Sequence, residues 1–130
     1  MMFERAVTNG IQVEVESFFV PEHSDKKGSN YFFSYKIRIQ NSSHTSVQLM
    51  SRHWVITDGR GRIEEVKGPG VIGQQPELSP GEVFEYESFC PLPTPTGTMR
   101  GTYEMVCLNS GERFNAEIPQ FFLVEPNSYH

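Results

Sequence analysis

Apolar and polar residues alternate with a period of two along most of the chain. In residues 11–20, Ile11, Val13 and Val15 alternate with Gln12, Glu14 and Glu16, the pattern of a half-buried strand. A polar loop at 23–30 precedes residues 31–40, where Tyr31, Phe33, Tyr35, Ile37 and Ile39 share one face. Asn41-Ser42-Ser43-His44 predicts a turn, and 47–57 a third strand that carries Trp54 and has apolar residues on both faces. Asp58-Gly59-Arg60-Gly61 predicts a hairpin, with Asp58-Gly59 supplying the positive φ angles, and 62–67 the returning strand. Pro69, Pro76 and Pro80 exclude any long regular element in the next segment.

Alternation resumes at 82–90, where Phe84, Tyr86 and Cys90 face opposite to Val83, Glu85, Glu87 and Phe89. After a connection at 91–97, strands are expected at 98–108 and 113–124, separated by Asn109-Ser110-Gly111, with Pro119 interrupting or bending the last. No helical period of ten or more residues occurs. About seven short strands in one domain, residues 1–130, predict an all-β fold: a two-sheet antiparallel β-sandwich, immunoglobulin-like or fibronectin type III-like.

Ten Phe, five Tyr and one Trp put much of the buried volume in rings, so an aromatic core is expected. The net charge of −5 provides no basic surplus to displace counterions from phosphates, which argues against non-specific nucleic-acid binding. No apolar run has transmembrane length and Met1-Met2-Phe3-Glu4-Arg5 is unlike a signal peptide, so a cytoplasmic location is expected. Cys90 and Cys107 are then expected as reduced thiols. Trp54 precedes both cysteines, unlike the order in antibody-type domains, and this points to a disulfide-free sandwich.

Gly68-Pro69-Gly70-Val71-Ile72-Gly73 spells G-x-G-x-x-G, the signature of a dinucleotide loop. Such a loop needs a helix opening at its third glycine, and Pro76 leaves no room for one. Gly68, Gly70 and Gly73 are therefore expected in a strand-connecting loop. A helix-free phosphate nest, aided by Arg60, Arg62 and Lys67, is the alternative. His23, His44, His53 and His130 lack zinc-site spacing, so no metal ligand is assigned, and Glu85 and Glu87 are expected on a solvated outer face. No nucleophile constellation is visible, hence no enzyme and no cofactor. The Phe pairs at 18–19, 32–33 and 121–122 cannot all face one core, and Phe32 and Phe122 are candidates for a dimer or partner surface.

Several stretches resemble the ApaG family over nearly the whole chain. They are Arg52-His53-Trp54-Val55-Ile56-Thr57-Asp58-Gly59, then Glu65-Val66-Lys67 running through the glycine motif to Gln74-Gln75-Pro76, and Leu78-Ser79-Pro80-Gly81-Glu82 with Phe84, Glu85 and Tyr86. Pro95, Gly97, Met99, Gly101, Tyr103 and Met105 continue the resemblance, as do Ile118, Pro119, Phe121 and Leu123. It implies a fibronectin type III-like sandwich, a cytoplasmic protein, self-association as a homodimer and no catalytic activity. It also implies a link to divalent-cation handling, a genomic setting beside enzymes of diadenosine polyphosphate breakdown, and protein-interaction roles in eukaryotic relatives. The expected function is a non-enzymatic binding or protein-interaction module. A nucleotide or pyrophosphate binder using residues 68–73 is the alternative.

Overall fold

The computed structural model describes residues 2–126 and has nine strands, with no α-helix among those residues. They are β1 (Met2–Thr8), β2 (Ile11–Phe19), β3 (Tyr31–Asn41), β4 (Val47–Asp58), β5 (Ile63–Pro69), β6 (Glu77–Leu78), β7 (Val83–Leu92), β8 (Thr96–Cys107) and β9 (Arg113–Val124). One sheet has the order β1-β2-β3-β7, the other β5-β4-β8-β9 with β6 on the end of β4, and the pairings are antiparallel. This is the predicted two-sheet sandwich. Ile11, Val13, Val15, Phe33, Ile37 and Ile39 from one sheet face Leu49, Met99, Met105, Ile118, Phe121 and Leu123 from the other, all essentially inaccessible. Trp54 sits among them with its ring edge-on to Tyr35, Tyr103 and Phe121.

Several boundaries differ from the sequence expectation. Strand β1 is mostly exposed and shows no apolar alternation, yet it pairs along its whole length with β2. Asn9 and Gly10, both at positive φ, make the connecting turn, and Asn-Gly is a strong hairpin signal. In the β4–β5 hairpin the positive φ belongs to Gly61, not to Gly59. The Asp58 carboxylate holds that turn by accepting the amides of Arg60 and Arg62 at 2.9 and 3.0 Å. The 91–97 connection shrinks to residues 93–95, because Pro91 and Leu92 extend β7 and Thr96 and Gly97 begin β8. Pro91 is tolerated because β7 is an edge strand. Pro119 does not end β9: Met99 pairs with Phe121 and Gly101 with Ile118, so Pro119 and Gln120 bulge opposite Arg100.

A second bulge decides which face of β4 looks inward. Leu49 pairs with Met105 and Ser51 with Glu104, leaving Met50 as the extra residue. Without it, the parity set by Val47 and Leu49 would turn Ser51 and His53 inward and Arg52 and Trp54 outward. With it, Trp54 enters the core and Arg52 follows on the same side. The mixed apolar pattern of β4 in the sequence is this change of parity.

The two sheets meet closely along one side only. Strands β1 and β2 pack on β9, where the Ser17 hydroxyl donates to the Phe122 carbonyl at 2.9 Å and the Glu117 amide to the Thr8 hydroxyl at 3.0 Å. On the other side β5 and β7 are both edge strands, and the sandwich opens between them.

Candidate functional site: the groove between β5 and β7

The open side holds two adjoining cavities of about 310 and 480 Å³ that share Ile56, Val66, Phe89 and Cys90. Together they form a groove along β4, running from Arg52 to Asp58, about 20 Å of extended chain. Its floor is apolar and aromatic: Tyr35, Trp54, Tyr86 and Met99 are buried beneath it. Its rims are the β7 edge at Phe89, 57% exposed with its ring against Phe32 on the outer face, and Ile72, 55% exposed, on the other side.

Few polar groups enter the groove. Arg52 lies at one end, where Nη1 donates to the carbonyls of Pro69 and Gly70, each at 3.0 Å. At the other end stand Arg62, Glu64 and Asp58. Burial raises the phenol pKa of Tyr35 above its ordinary value, although the Ser88 hydrogen bond and the Arg52 charge work against that shift. Tyr86 and Tyr103, whose hydroxyls are bonded to each other, are raised further by the same desolvation. Burial, helped by the charge of Glu64, pushes the Cys90 thiol up to about 12, so it stays protonated at neutral pH and is a poor nucleophile. The lining is thus mainly apolar and aromatic, with its charged groups at the two ends.

The glycine motif borders one end of the groove and splits into three structural roles. Gly68 is not in the loop: it belongs to β5, opposite Arg52, and a Cβ there would meet the guanidinium at 3.0 Å. Gly70 donates its amide to the Met50 carbonyl at 2.9 Å, and a Cβ on it would lie 2.1 Å from the Gln74 carbonyl oxygen. Ile72 and Gly73, at φ 41° and 76°, are the centre of a tight turn closed by mutual Val71–Gln74 backbone bonds of 2.8 Å. The amides of Gly70, Val71 and Gln74 are thus all used internally. The Gln75 side chain adds a second donor to the Met50 carbonyl at 2.9 Å.

The basic residues expected beside this loop do not gather there. Arg60 and Arg62 sit at the far end of β5, about 20 Å from Gly68 by strand rise. Lys67 pairs with His53 on the outer face, away from the groove. The cation that does reach the loop is Arg52, which is none of the three basic residues expected there. Its position two residues before Trp54, hence on the face of Trp54, was the available signal.

The remaining candidates lie on outer surfaces. Phe32 packs against Phe89 with tilted rings at 5.3 Å and meets His23 edge-on at 5.4 Å, on the outer face of the four-stranded sheet. Phe122 is 48% exposed on the outer face of the other sheet, so one patch cannot contain both Phe32 and Phe122. Glu85 lies in a charged row with Lys36 and Arg38. His53 meets Glu65 at 2.7 Å, and His130 lies outside the described residues. Among the described residues no group of three or more His, Cys, Asp or Glu side chains could hold a metal ion, and both cysteines are free. No helix there is long and apolar enough to cross a membrane.

Residues 21–107, which include every residue named above as lining the groove, match the family model of the ApaG domain. The chain belongs to the ApaG family. It is 55% identical over 124 residues to an ApaG protein of Bradyrhizobium diazoefficiens, covering 95% of both chains. Two solved structures are similar throughout. A crystal structure from Bordetella pertussis carrying the name ApaA has 52% identity and a TM-score of 0.87, over 91% of this chain and 95% of that one. An X-ray structure from structural genomics has 42% identity and the same TM-score of 0.87, over 96% and 94%.

Proposed function

We propose that this ApaG-family chain is a non-enzymatic binding module of the cytoplasm and that the β5–β7 groove receives an extended segment of a protein partner. The observation that supports this most is the pairing of an apolar groove with two flanking edge strands, whose outer backbone groups have no partner strand among the described residues. An extended segment can add hydrogen bonds along such an edge while its alternate side chains fill the groove. To test this, a display library of unstructured decapeptides is panned against the protein and binders are mapped by amide chemical shifts. Shifts confined to β5, β7 and the 70–75 loop, abolished by Phe89→Ser, are expected. Binders that map elsewhere, or no binders, would refute it.

Three other readings have narrower support. Pyrophosphate binding by residues 68–73 would have to use the Ile72 and Gly73 amides, since those of Gly70, Val71 and Gln74 are bonded internally. Titration with millimolar ATP tests it through the same two signals. Homodimerisation is supported by the exposed rings of Phe18, Phe89 and Phe122. Phe32→Ser and Phe122→Ser, made separately because they lie on opposite faces, test it by light scattering. Divalent-cation handling would draw on Glu82, Glu85 and Glu87. Of these, Glu85 is engaged by Lys36 and Arg38, and Glu82 accepts the Ser79 amide at 2.7 Å.

A further inference from the structure

We infer that the groove selects a segment carrying a carboxylate side chain next to a large apolar one, with the carboxylate on Arg52 and the apolar side chain under Ile72. This rests on the groove being the partner site and names the chemistry of what enters it.

Only two lysine or arginine residues among the described residues are half-buried, Arg38 and Arg52. Arg38 has Glu14 at 3.1 Å and Glu85 at 3.7 Å. Among the described residues no carboxylate lies within ion-pair distance of Arg52, and no acidic one lines the 310 Å³ cavity beside it. Two carbonyls fix its Nη1 and thereby orient the guanidinium plane. Arginine stays protonated at any physiological pH, and its planar fork matches a carboxylate in two parallel bonds. The fold thus presents an oriented, partly desolvated cation without its counter-charge at the end of an apolar cavity.

Ile72 is the independent sign that this end binds something. A β-branched residue at φ 41° is an outlier, and the centre of such a turn ordinarily holds Asn, Asp or Gly. Here an isoleucine occupies the strained position and exposes 55% of its surface at the rim of the Arg52 cavity. Local strain of this kind collects at ligand clamps, where an apolar rim has a use that a polar turn residue would not meet.

Length argues for a peptide over a small anion. A phosphate on Arg52 would leave the rest of the groove, down to Asp58, unfilled. Five or six extended residues span it.

The test uses the decapeptide binders on the full chain. Asp or Glu at a fixed place beside a large apolar residue is expected, with Glu→Gln in the peptide weakening binding about 10- to 100-fold at low salt. Arg52→Gln should erase the difference between the Glu and Gln peptides, and Arg52→Lys should restore part of it. If Arg52→Gln does not fold, the Glu and Gln peptides on the unaltered protein, compared at low and high salt, decide the matter. Binders that map to the groove without an acidic preference would overturn this inference and leave the module reading intact. No groove binders at all would overturn both. Inorganic phosphate or ATP that displaces the peptide at micromolar concentration would assign Arg52 to nucleotides and also overturn it.

Discussion

Alanine at each of the three motif glycines should give three different results, because the three sites lack a Cβ for different reasons. At Gly73 a Cβ meets nothing within 4 Å, and only the φ of 76° opposes it. The left-handed conformation costs an L-residue about 1 kcal/mol, which for 130 residues lowers Tm by about 4 °C. At Gly70 the Cβ would stand 2.1 Å from the Gln74 carbonyl oxygen, so that oxygen must move by about 1 Å. That displacement breaks its 2.8 Å bond to the Val71 amide and strains the Gly70–Met50 bond. Together with the φ of 58° the cost is about 3 kcal/mol or more, close to 10 °C. At Gly68 the Cβ meets the Arg52 guanidinium at 3.0 Å, which must give by a few tenths of an ångström against its two carbonyl bonds, so stability should fall by about 1 kcal/mol while groove affinity drops. Thermal unfolding by circular dichroism, with peptide titration of the folded variants, reads all three. A phosphate cradle predicts instead that each substitution impairs ATP binding. Gly70→Ala as mild as Gly73→Ala would refute the structural account.

Three further outcomes are expected. Asn41 is inaccessible and saturated: its amide donates to the carbonyls of Thr45 and Leu78, and its oxygen accepts from the Ser43 amide and hydroxyl. Asn41→Leu should therefore cost about 3 kcal/mol in urea unfolding, since it strands the Leu78 carbonyl inside. Tyr35, Tyr86 and Tyr103 should stay protonated above pH 10, where unfolded tyrosines ionise, so the unfolded chain releases protons the native state keeps and stability falls as pH rises. Absorbance at alkaline pH should show them ionising together with unfolding; independent titration before it would contradict their burial. Ile72→Asn relieves about 1 kcal/mol of backbone strain and loses less than half of an isoleucine's burial, under about 1 kcal/mol, so stability should hold or rise while groove binding falls. A loss above about 1.5 kcal/mol would refute that balance.

Alternation was enough to read β2, β3 and β7, because each buries one face against the opposite sheet and leaves the other in water. It could not show β1, whose burial is slight, although Asn9-Gly10 marked the hairpin that holds it. It also could not place the bulge at Met50. A bulge is an extra residue in one strand relative to its neighbour, so it exists only in the pairing with β8 and has no mark in β4 alone. The inward turn of Arg52, and with it the groove's one oriented cation, was therefore marked only by its place two residues before Trp54. The G-x-G-x-x-G spacing was legible, but its meaning lay in partners distant in sequence: the Met50 carbonyl, the Arg52 guanidinium and the Gln74 carbonyl.

The bulge and the glycine loop depend on each other. A bulge leaves its extra residue outside the ladder, and here the stranded Met50 carbonyl is taken by the Gly70 amide and the Gln75 side chain. Arg52, turned inward by that same bulge, returns the contact by binding the Pro69 and Gly70 carbonyls. The loop can lie this close to β4 only because Gly68 and Gly70 have no side chain in the way. The glycine spacing follows from this packing without any phosphate: one glycine clears the guanidinium, the second clears the loop's own carbonyl, and the third turns the chain. A loop selected to cradle an anion would leave its amides free, whereas this one spends three of them on its own closure and on the bulge. What it leaves facing the groove is the outer half of the Arg52 guanidinium and the Ile72 side chain, a cation beside an apolar rim.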